Sequence, residues 1–107
     1  MEIRAYWRAV IRLGNGGAVL QARTQHVGRH KAVLSVGRNL PAGGQCELAL
    51  MPPRAEPEGE SLQVRGRAEI VTSVLASEQF KITVRWLDMD ENSKRLLEEK
   101  LQAASGK

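Results

Sequence analysis

Cysteine is almost absent from this chain of 107 residues, in which Cys46 is the single example. One cysteine allows no internal disulfide, no CxxC redox pair and no cage of thiolates around a metal ion. Within "QCELAL" the alternation places Cys46 on the same face as Leu48 and Leu50, which is typical of a small buried side chain and not of a reactive thiol. The sequence therefore excludes a disulfide scaffold.

Long apolar runs are also missing. No segment approaches the length that spans a bilayer, and the first thirty residues lack the charged start, apolar stretch and cleavage site of a signal peptide. We therefore expect no membrane insertion and a cytoplasmic location. The apolar content of 42% and the charged content of 26% are ordinary for a globular protein, and the length fits one small domain over residues 1–107.

Aromatic residues make up only 4% of the chain. Small barrels that bind nucleic acid combine a basic groove with several stacking aromatics. Alternation places Trp7, Phe80 and Trp86 on inner faces, which leaves Tyr6 as the one good stacking candidate. A basic barrel that binds nucleic acid is thus an alternative that the composition disfavours.

Signatures of catalysis are missing as well. "GNGGAV" lacks the third glycine of a dinucleotide-binding loop and leads into a predicted strand, and the chain has neither a Walker lysine nor GxSxG. His26 and His30 are four residues apart, a spacing that suits a metal on a helix, but Gly28 between them is typical of a hairpin. We expect no catalysis, no cofactor and no metal site.

Positive charge is present and unevenly distributed. The formal net charge is +4, and residues 1–38 hold seven basic residues against the single acid Glu2. Such a balance suits an anionic partner. Any anion site should therefore lie in the first third of the chain.

The apolar periodicity predicts strands over most of the chain. "AYWRAVIRL" (5–13) alternates, and Asn15-Gly16 has the composition of a tight turn that returns "AVLQARTQHV" antiparallel to it. "KAVLSVG", "QCELALM", "LQVRGRAEIV" and "QFKITVRWL" predict four further strands, and "PPRAEPEGE" (52–60) predicts an exposed loop. Gly66 on an inner face indicates a bulge or a bend.

After the last strand the period changes to about 3.6, which predicts a helix over residues 90–103. Asp88 and Glu91 have the spacing of a capping box, and Asp90 is an alternative cap. Short strands without a βαβ rhythm, followed by one amphipathic helix, predict a mainly β fold: a six-stranded antiparallel β-barrel over residues 5–87 with a C-terminal α-helix.

This order of elements resembles the PilZ domain, a family of bacterial receptors and adaptors in cyclic diguanylate signalling. The resemblance covers about residues 5–103 and is most specific where "FKITVRWLDMDENSKRLLEEKL" runs from a strand directly into a Leu-rich helix. It implies a PilZ-like barrel, a signalling function in motility, pili or surface behaviour, and cyclic diguanylate (cyclic-di-GMP) as the ligand.

The family binds that dinucleotide through RxxxR ahead of the first strand and D/NxSxxG at the second and third strands. Arg4 and Arg8 have the RxxxR spacing. Aligned on the hairpin, Thr24, His26 and Arg29 stand where the family has Asp/Asn, Ser and Gly, so none of the three defining residues is present. The resemblance places a modified site at Arg4, Arg8, His26, Gly28 and Arg29.

Two functions follow from the resemblance. Either the modified site binds the nucleotide, or the domain is a degenerate PilZ fold that binds no nucleotide and contacts a protein partner. A protein-binding adaptor would use either the C-terminal helix or an outer sheet face that carries Arg65, Arg67, Lys81 and Arg85. The arginines also fit plain solvation of strand faces, and residues 26–31 fit an ordinary basic hairpin.

Overall fold

The computed structural model describes residues 2–14, 17–53 and 63–105. The described elements are, in chain order, β1 (Glu2–Arg4), β2 (Arg8–Leu13), β3 (Val19–Gly28), β4 (Lys31–Val36), β5 (Gln45–Met51), β6 (Val64–Ala76), β7 (Gln79–Met89) and α1 (Glu91–Ser105). The predicted Asn15-Gly16 turn and residues 54–60 of the predicted loop lie outside the described residues.

The strands close into a barrel in which every described pairing is antiparallel. The order around the sheet is β1-β3-β2-β5-β6-β7-β4, and β4 pairs in turn with β3. β1 and β2 both pair with β3, one after the other, so together they occupy one position in the ring. The fold is a closed six-stranded antiparallel barrel with one C-terminal helix, which confirms the predicted fold class.

The inward side chains of the strands and one face of α1 form a single apolar core. Ile11 and Leu50 are fully buried, and α1 packs against β1 and β6 and contributes Leu97 and Leu101. Cys46 is buried as predicted, and this burial raises the pKa of its thiol to about 11. The thiol is therefore neutral and shielded at physiological pH.

The helix is joined to the barrel at its first turn. The Asp90 carboxylate accepts a hydrogen bond from the Ser93 N–H (2.7 Å), so Asp90 is the N-cap. The Ser93 hydroxyl in turn accepts the Arg65 N–H (2.9 Å), which ties the helix start to β6. Asp88 is not the cap, because it binds Arg67 on the outer surface, and the hydrogen bond from Arg67 lowers the pKa of Asp88.

Two parts of the ladder differ from the prediction. The predicted strand over residues 5–13 is interrupted: β2 begins at Arg8, and residues 2–4 form a separate strand. β6 and β7 are longer than predicted and form a hairpin that turns at Ser77 and Glu78, where φ is 51° and 57°. The turn is built from non-glycine residues in the left-handed region, so no glycine marks it in the sequence.

Gly66 lies at a bend of the barrel, as its position on an inner face indicated. The register between β6 and β7 shifts just after it, between Arg67 and Ala68. A Cβ atom at Gly66 would lie 2.4 Å from the Asp88 carbonyl oxygen and 3.1 Å from the Trp86 ring. The close approach of β7 therefore requires glycine here.

We expect Gly66→Ala to lower the free energy of unfolding by about 1–3 kcal/mol, because the added methyl group must displace backbone. The matched control is Gly37→Ala, since a Cβ at Gly37 meets no atom within 4 Å. Urea denaturation of both variants measures the difference. Equal stability of the two variants would contradict the requirement for glycine at position 66.

Candidate functional site

The buried side chain of Thr24 fills the interruption between β1 and β2. Its hydroxyl accepts a hydrogen bond from the Trp7 backbone N–H (2.7 Å) and donates one to the Ala5 carbonyl. The Thr24 N–H donates to the Trp7 carbonyl (2.9 Å), and the Ala5 N–H donates to the Gln25 carbonyl (3.1 Å). These bonds pair the backbone N–H and C=O groups where the regular ladder stops. The side chain of Tyr6, between Ala5 and Trp7, is 63% exposed.

The register shows how the interruption is accommodated. Arg4 pairs with His26 and Arg8 pairs with Arg23, so three residues on one side lie opposite two residues of β3. The extra residue increases the local bend, as β-bulges do. Bends of this kind change the direction of outward side chains. A groove lies beside the interruption between β1 and β2.

The groove has a volume of about 650 Å³ and lies on the outer surface of the barrel over β2, β3 and β4. Val10 and Met51 contribute apolar surface. Its polar side chains come from both sides of the interruption and from the neighbouring strands, and they are Tyr6, Arg8, Gln21, Arg23, Gln25, Ser35 and Gln79. We call these seven residues the arginine groove.

Arg8 and Arg23 are direct cross-strand neighbours in this groove. Like charges directly opposite each other destabilise a sheet. Among the described residues no carboxylate forms an ion pair with either of them. Arg12 lies four residues beyond Arg8 in β2. It differs in this respect, because its guanidinium lies 3.8 Å from the Glu47 carboxylate. The groove thus holds two adjacent cations that have no counter-charge among the described residues.

Neutral polar groups surround the two arginines. Gln21 and Gln25 each supply an amide, which offers both donors and an acceptor. The Ser35 hydroxyl donates to the Gln79 side-chain carbonyl (2.6 Å), which joins β4 to the start of β7 at the edge of the groove. The arrangement can bind a planar, anionic ligand through guanidinium, amide and aromatic contacts.

The five sequence-predicted site residues do not form one cluster. Arg8 lines the arginine groove, while Arg4 and His26 lie opposite each other on the neighbouring part of the β1–β3 ladder. Gly28 is buried at the end of β3, and Arg29 follows it. Arg23 and Arg29 are six residues apart, which corresponds to about 20 Å along an extended chain.

Arg29 belongs to a different part of the surface. Its guanidinium binds the Glu98 carboxylate of α1, with Nη2 and Oε2 3.0 Å apart. It also lines a second cleft of about 530 Å³ between the β3–β4 turn, the end of β7 and α1, together with Trp86 and Lys94. The contact with Glu98 gives Arg29 a structural role, because it holds the helix against the turn.

Arg23 was missed as a candidate. In the sequence Arg23 contributes only to the overall charge of residues 1–38, because its proximity to Arg8 depends on the register of two strands joined by a turn. Thr24, which aligns with the Asp/Asn position of the family motif, faces the core and forms the bonds described above. The Thr24 side chain is therefore fully buried, and its hydroxyl is already bonded to the backbone at the base of the groove.

No group of three or more His, Cys, Asp or Glu side chains in the described ranges is arranged to hold a metal ion. The one helix that the structure describes is too short and too polar to cross a membrane.

Comparison with known proteins identifies a fold and no close relative. No family model matches the sequence, and no curated protein matches it. The structure of the Bacillus subtilis inhibitor of motility, MotI/DgrA, superposes with a TM-score of 0.78 at 15% sequence identity. The superposition covers 97% of this chain and 47% of that one, so this chain spans about half the length of that structure. The likeness establishes the class of fold, a PilZ-like barrel with a C-terminal helix.

We expect Thr24→Val to lower the free energy of unfolding by about 1–3 kcal/mol, because it leaves the buried Trp7 N–H and Ala5 carbonyl without the hydroxyl. Thr24→Ser keeps the hydroxyl and should recover part of the loss. Thr72→Val, at an exposed position of β6, is the control and should change stability little. Urea denaturation decides the matter, and equal midpoints for Thr24→Val and Thr72→Val would refute the role of the hydroxyl.

Proposed function

We propose that this domain is a non-enzymatic PilZ-like signalling domain that binds cyclic diguanylate in the arginine groove. The observation that carries the proposal is the cross-strand pair of Arg8 and Arg23, which has no carboxylate partner among the described residues. An anion between the two guanidinium groups would offset their mutual repulsion. Both arginines and all polar residues of the groove except Gln79 lie in the first third of the chain, where the charge distribution predicts an anion site.

The chemistry of the ligand fits the groove. A cyclic dinucleotide carries two phosphates and two purine rings, and guanidinium groups bind phosphate through paired hydrogen bonds and stack on purines. Tyr6 supplies an exposed aromatic ring, and Gln21 and Gln25 supply amides for the base edges. The volume of about 650 Å³ is in the range of small-molecule sites.

The proposed site keeps one arginine of the family's RxxxR pair in the groove and replaces the D/NxSxxG set. Arg23 takes the place of the missing polar residues, and Arg4 and His26 extend the positive surface along β1 and β3. Gly28 and Arg29 lie outside this proposed site. Gly28 is buried at the end of β3, and Arg29 is bound to Glu98. The site is therefore a modified one and not the family's standard arrangement.

The signalling part of the proposal rests on the likeness of fold. The Bacillus subtilis neighbour is an inhibitor of motility, and a role in motility or surface behaviour is our proposal for this chain. The second candidate is an adaptor that binds protein and no nucleotide. It is favoured by the exposed apolar side chains of the β6–β7 hairpin, Val71, Val74 and Leu75.

We expect isothermal titration with cyclic diguanylate at near-physiological salt to give saturable binding. Arg8→Ala and Arg23→Ala should each weaken it roughly tenfold to hundredfold, since a hydrogen bond to a charged group contributes about 1.5–3 kcal/mol. Arg65→Ala removes an exposed arginine from the outer face of β6 and is the matched control.

Absence of binding by the unaltered chain would reject the receptor function in favour of the adaptor. Binding that survives both Arg8→Ala and Arg23→Ala would place the ligand outside the arginine groove. Binding in which Arg8→Lys is as weak as Arg8→Ala would indicate that the paired hydrogen bonds of the guanidinium matter more than its charge.

A further inference from the structure

The β6–β7 hairpin extends beyond the strands that flank it. β5 pairs with β6 as far as Glu69, and the Ile70 backbone bonds to Gly43 and Gly44 (2.6 and 2.8 Å). From Val71 to Ala76, β6 pairs with β7 on one side only within the described part of the chain. Its other edge is therefore a row of backbone groups available for pairing.

This free edge is apolar and uncharged. Val71, Val74 and Leu75 are 45%, 56% and 64% exposed, and no charged residue lies between Glu69 and Glu78. Proteins usually protect a free edge with lysine, proline or a very short strand. The segment Val71–Ala76 has none of these, in a chain in which 26% of residues are charged.

The register with β7 fixes which face each side chain occupies. Ser73 and Leu75 pair with Ile82 and Phe80, whose side chains turn toward the core, so they lie on the inner face. Thr72, Val74 and Ala76 pair with the outward Thr83, Lys81 and Gln79 and lie on the outer face. The loop between β4 and β5 covers the inner face in part, since the Ser73 hydroxyl donates to the Asn39 side chain.

We propose that this edge is a homodimer interface, in which β6 of one copy pairs antiparallel with β6 of a second copy about a twofold axis at Val74. Antiparallel pairing within one sheet matches residues on the same face. With Val74 opposite its own counterpart, Thr72 lies opposite Ala76 and Ser73 lies opposite Leu75.

Charge favours a second copy as the occupant. Every residue matched across this axis from Thr72 to Ala76 is uncharged, so the net charge of +4 places no repulsion at the contact. Lys81 pairs with Val74, and the two Lys81 side chains of such a dimer are separated by three strand spacings, about 14 Å, which exceeds the screening length of about 8 Å at physiological salt.

The contact is small. Six residues of one strand bury far less than the 1,200–2,000 Å² or so of a typical stable interface. The dimer should therefore be weak, and the dimeric fraction should rise with protein concentration. This inference is independent of ligand binding in the arginine groove.

Disulfide trapping tests the axis directly. Directly opposed antiparallel residues have Cα atoms about 4.5–5.5 Å apart, which lies within disulfide range, so Val74→Cys should cross-link two copies on mild oxidation. Val19→Cys is the matched control, because Val19 is also 56% exposed but lies at the start of β3. The native Cys46 is buried and should not react.

We expect Val74→Cys to form the covalent dimer at least about tenfold faster than Val19→Cys, because association raises the local concentration of the second thiol. Non-reducing electrophoresis over time measures both rates. Equal rates for the two variants would overturn the proposal.

Sedimentation velocity of the unaltered chain supplies a second test, over a concentration series that reaches the millimolar range. We expect a reversible shift toward dimer that Val74→Lys abolishes and Val19→Lys leaves in place. A chain that stays monomeric throughout, or a dimer that Val74→Lys does not affect, would also overturn the proposal. Circular dichroism confirms that each variant is folded.

Discussion

The hydroxyl of Thr24 determines how the N-terminal part of the barrel is built. It accepts the Trp7 N–H and donates to the Ala5 carbonyl, and thereby completes the hydrogen bonding of a chain that leaves the regular ladder between β1 and β2. A buried backbone group without a partner is costly, so an interruption at this position depends on a side chain that both donates and accepts. Because the two segments re-enter the ladder on either side of Thr24, β3 is paired along nearly its whole length, and Arg8 lies opposite Arg23.

Several arginines of the barrel surface are held by ion pairs. Arg29, Arg67 and Arg85 each bind a carboxylate on a neighbouring element, Glu98, Asp88 and Glu69. These exposed pairs contribute little to stability individually, but they orient α1 and the β6–β7 ladder. In the described residues the arginine groove has no such acid. Arg8 and Arg23 are thus two directly opposed cations that no acid in the described residues offsets, which is the premise of the proposed anion site.

Much of the fold could be predicted from the sequence because periodicity reports burial. Ala9, Ile11, Leu48 and Ile82 alternate with exposed residues, and the change of period after Met89 marks the helix. The interruption at residues 5–7 could not be predicted, because Ala5 and Trp7 stay buried and continue the alternation while the backbone leaves the ladder.

The extension of the β6–β7 hairpin beyond Val71 could not be predicted either, and the reason is the opposite one. Residues 71–76 project beyond the core, so both of their faces are exposed and no period appears. The candidate site could also be predicted only in part. The spacing of Arg4 and Arg8 is visible in the sequence, but the partnership of Arg8 with Arg23 exists only through strand register.

Gln79 connects the two surfaces. Its side chain lines the arginine groove and accepts the Ser35 hydroxyl, while its backbone pairs with Ala76 at the end of the free edge. A ligand in the proposed site would compete for the Ser35 hydroxyl, which is the group that joins the Gln79 side chain to β4. Coupling between two binding equilibria is reciprocal, so any effect of the ligand on dimerisation would be matched by an equal effect of dimerisation on the affinity for the ligand. One side-chain hydrogen bond and one backbone pair thus separate the arginine groove from the free edge of β6.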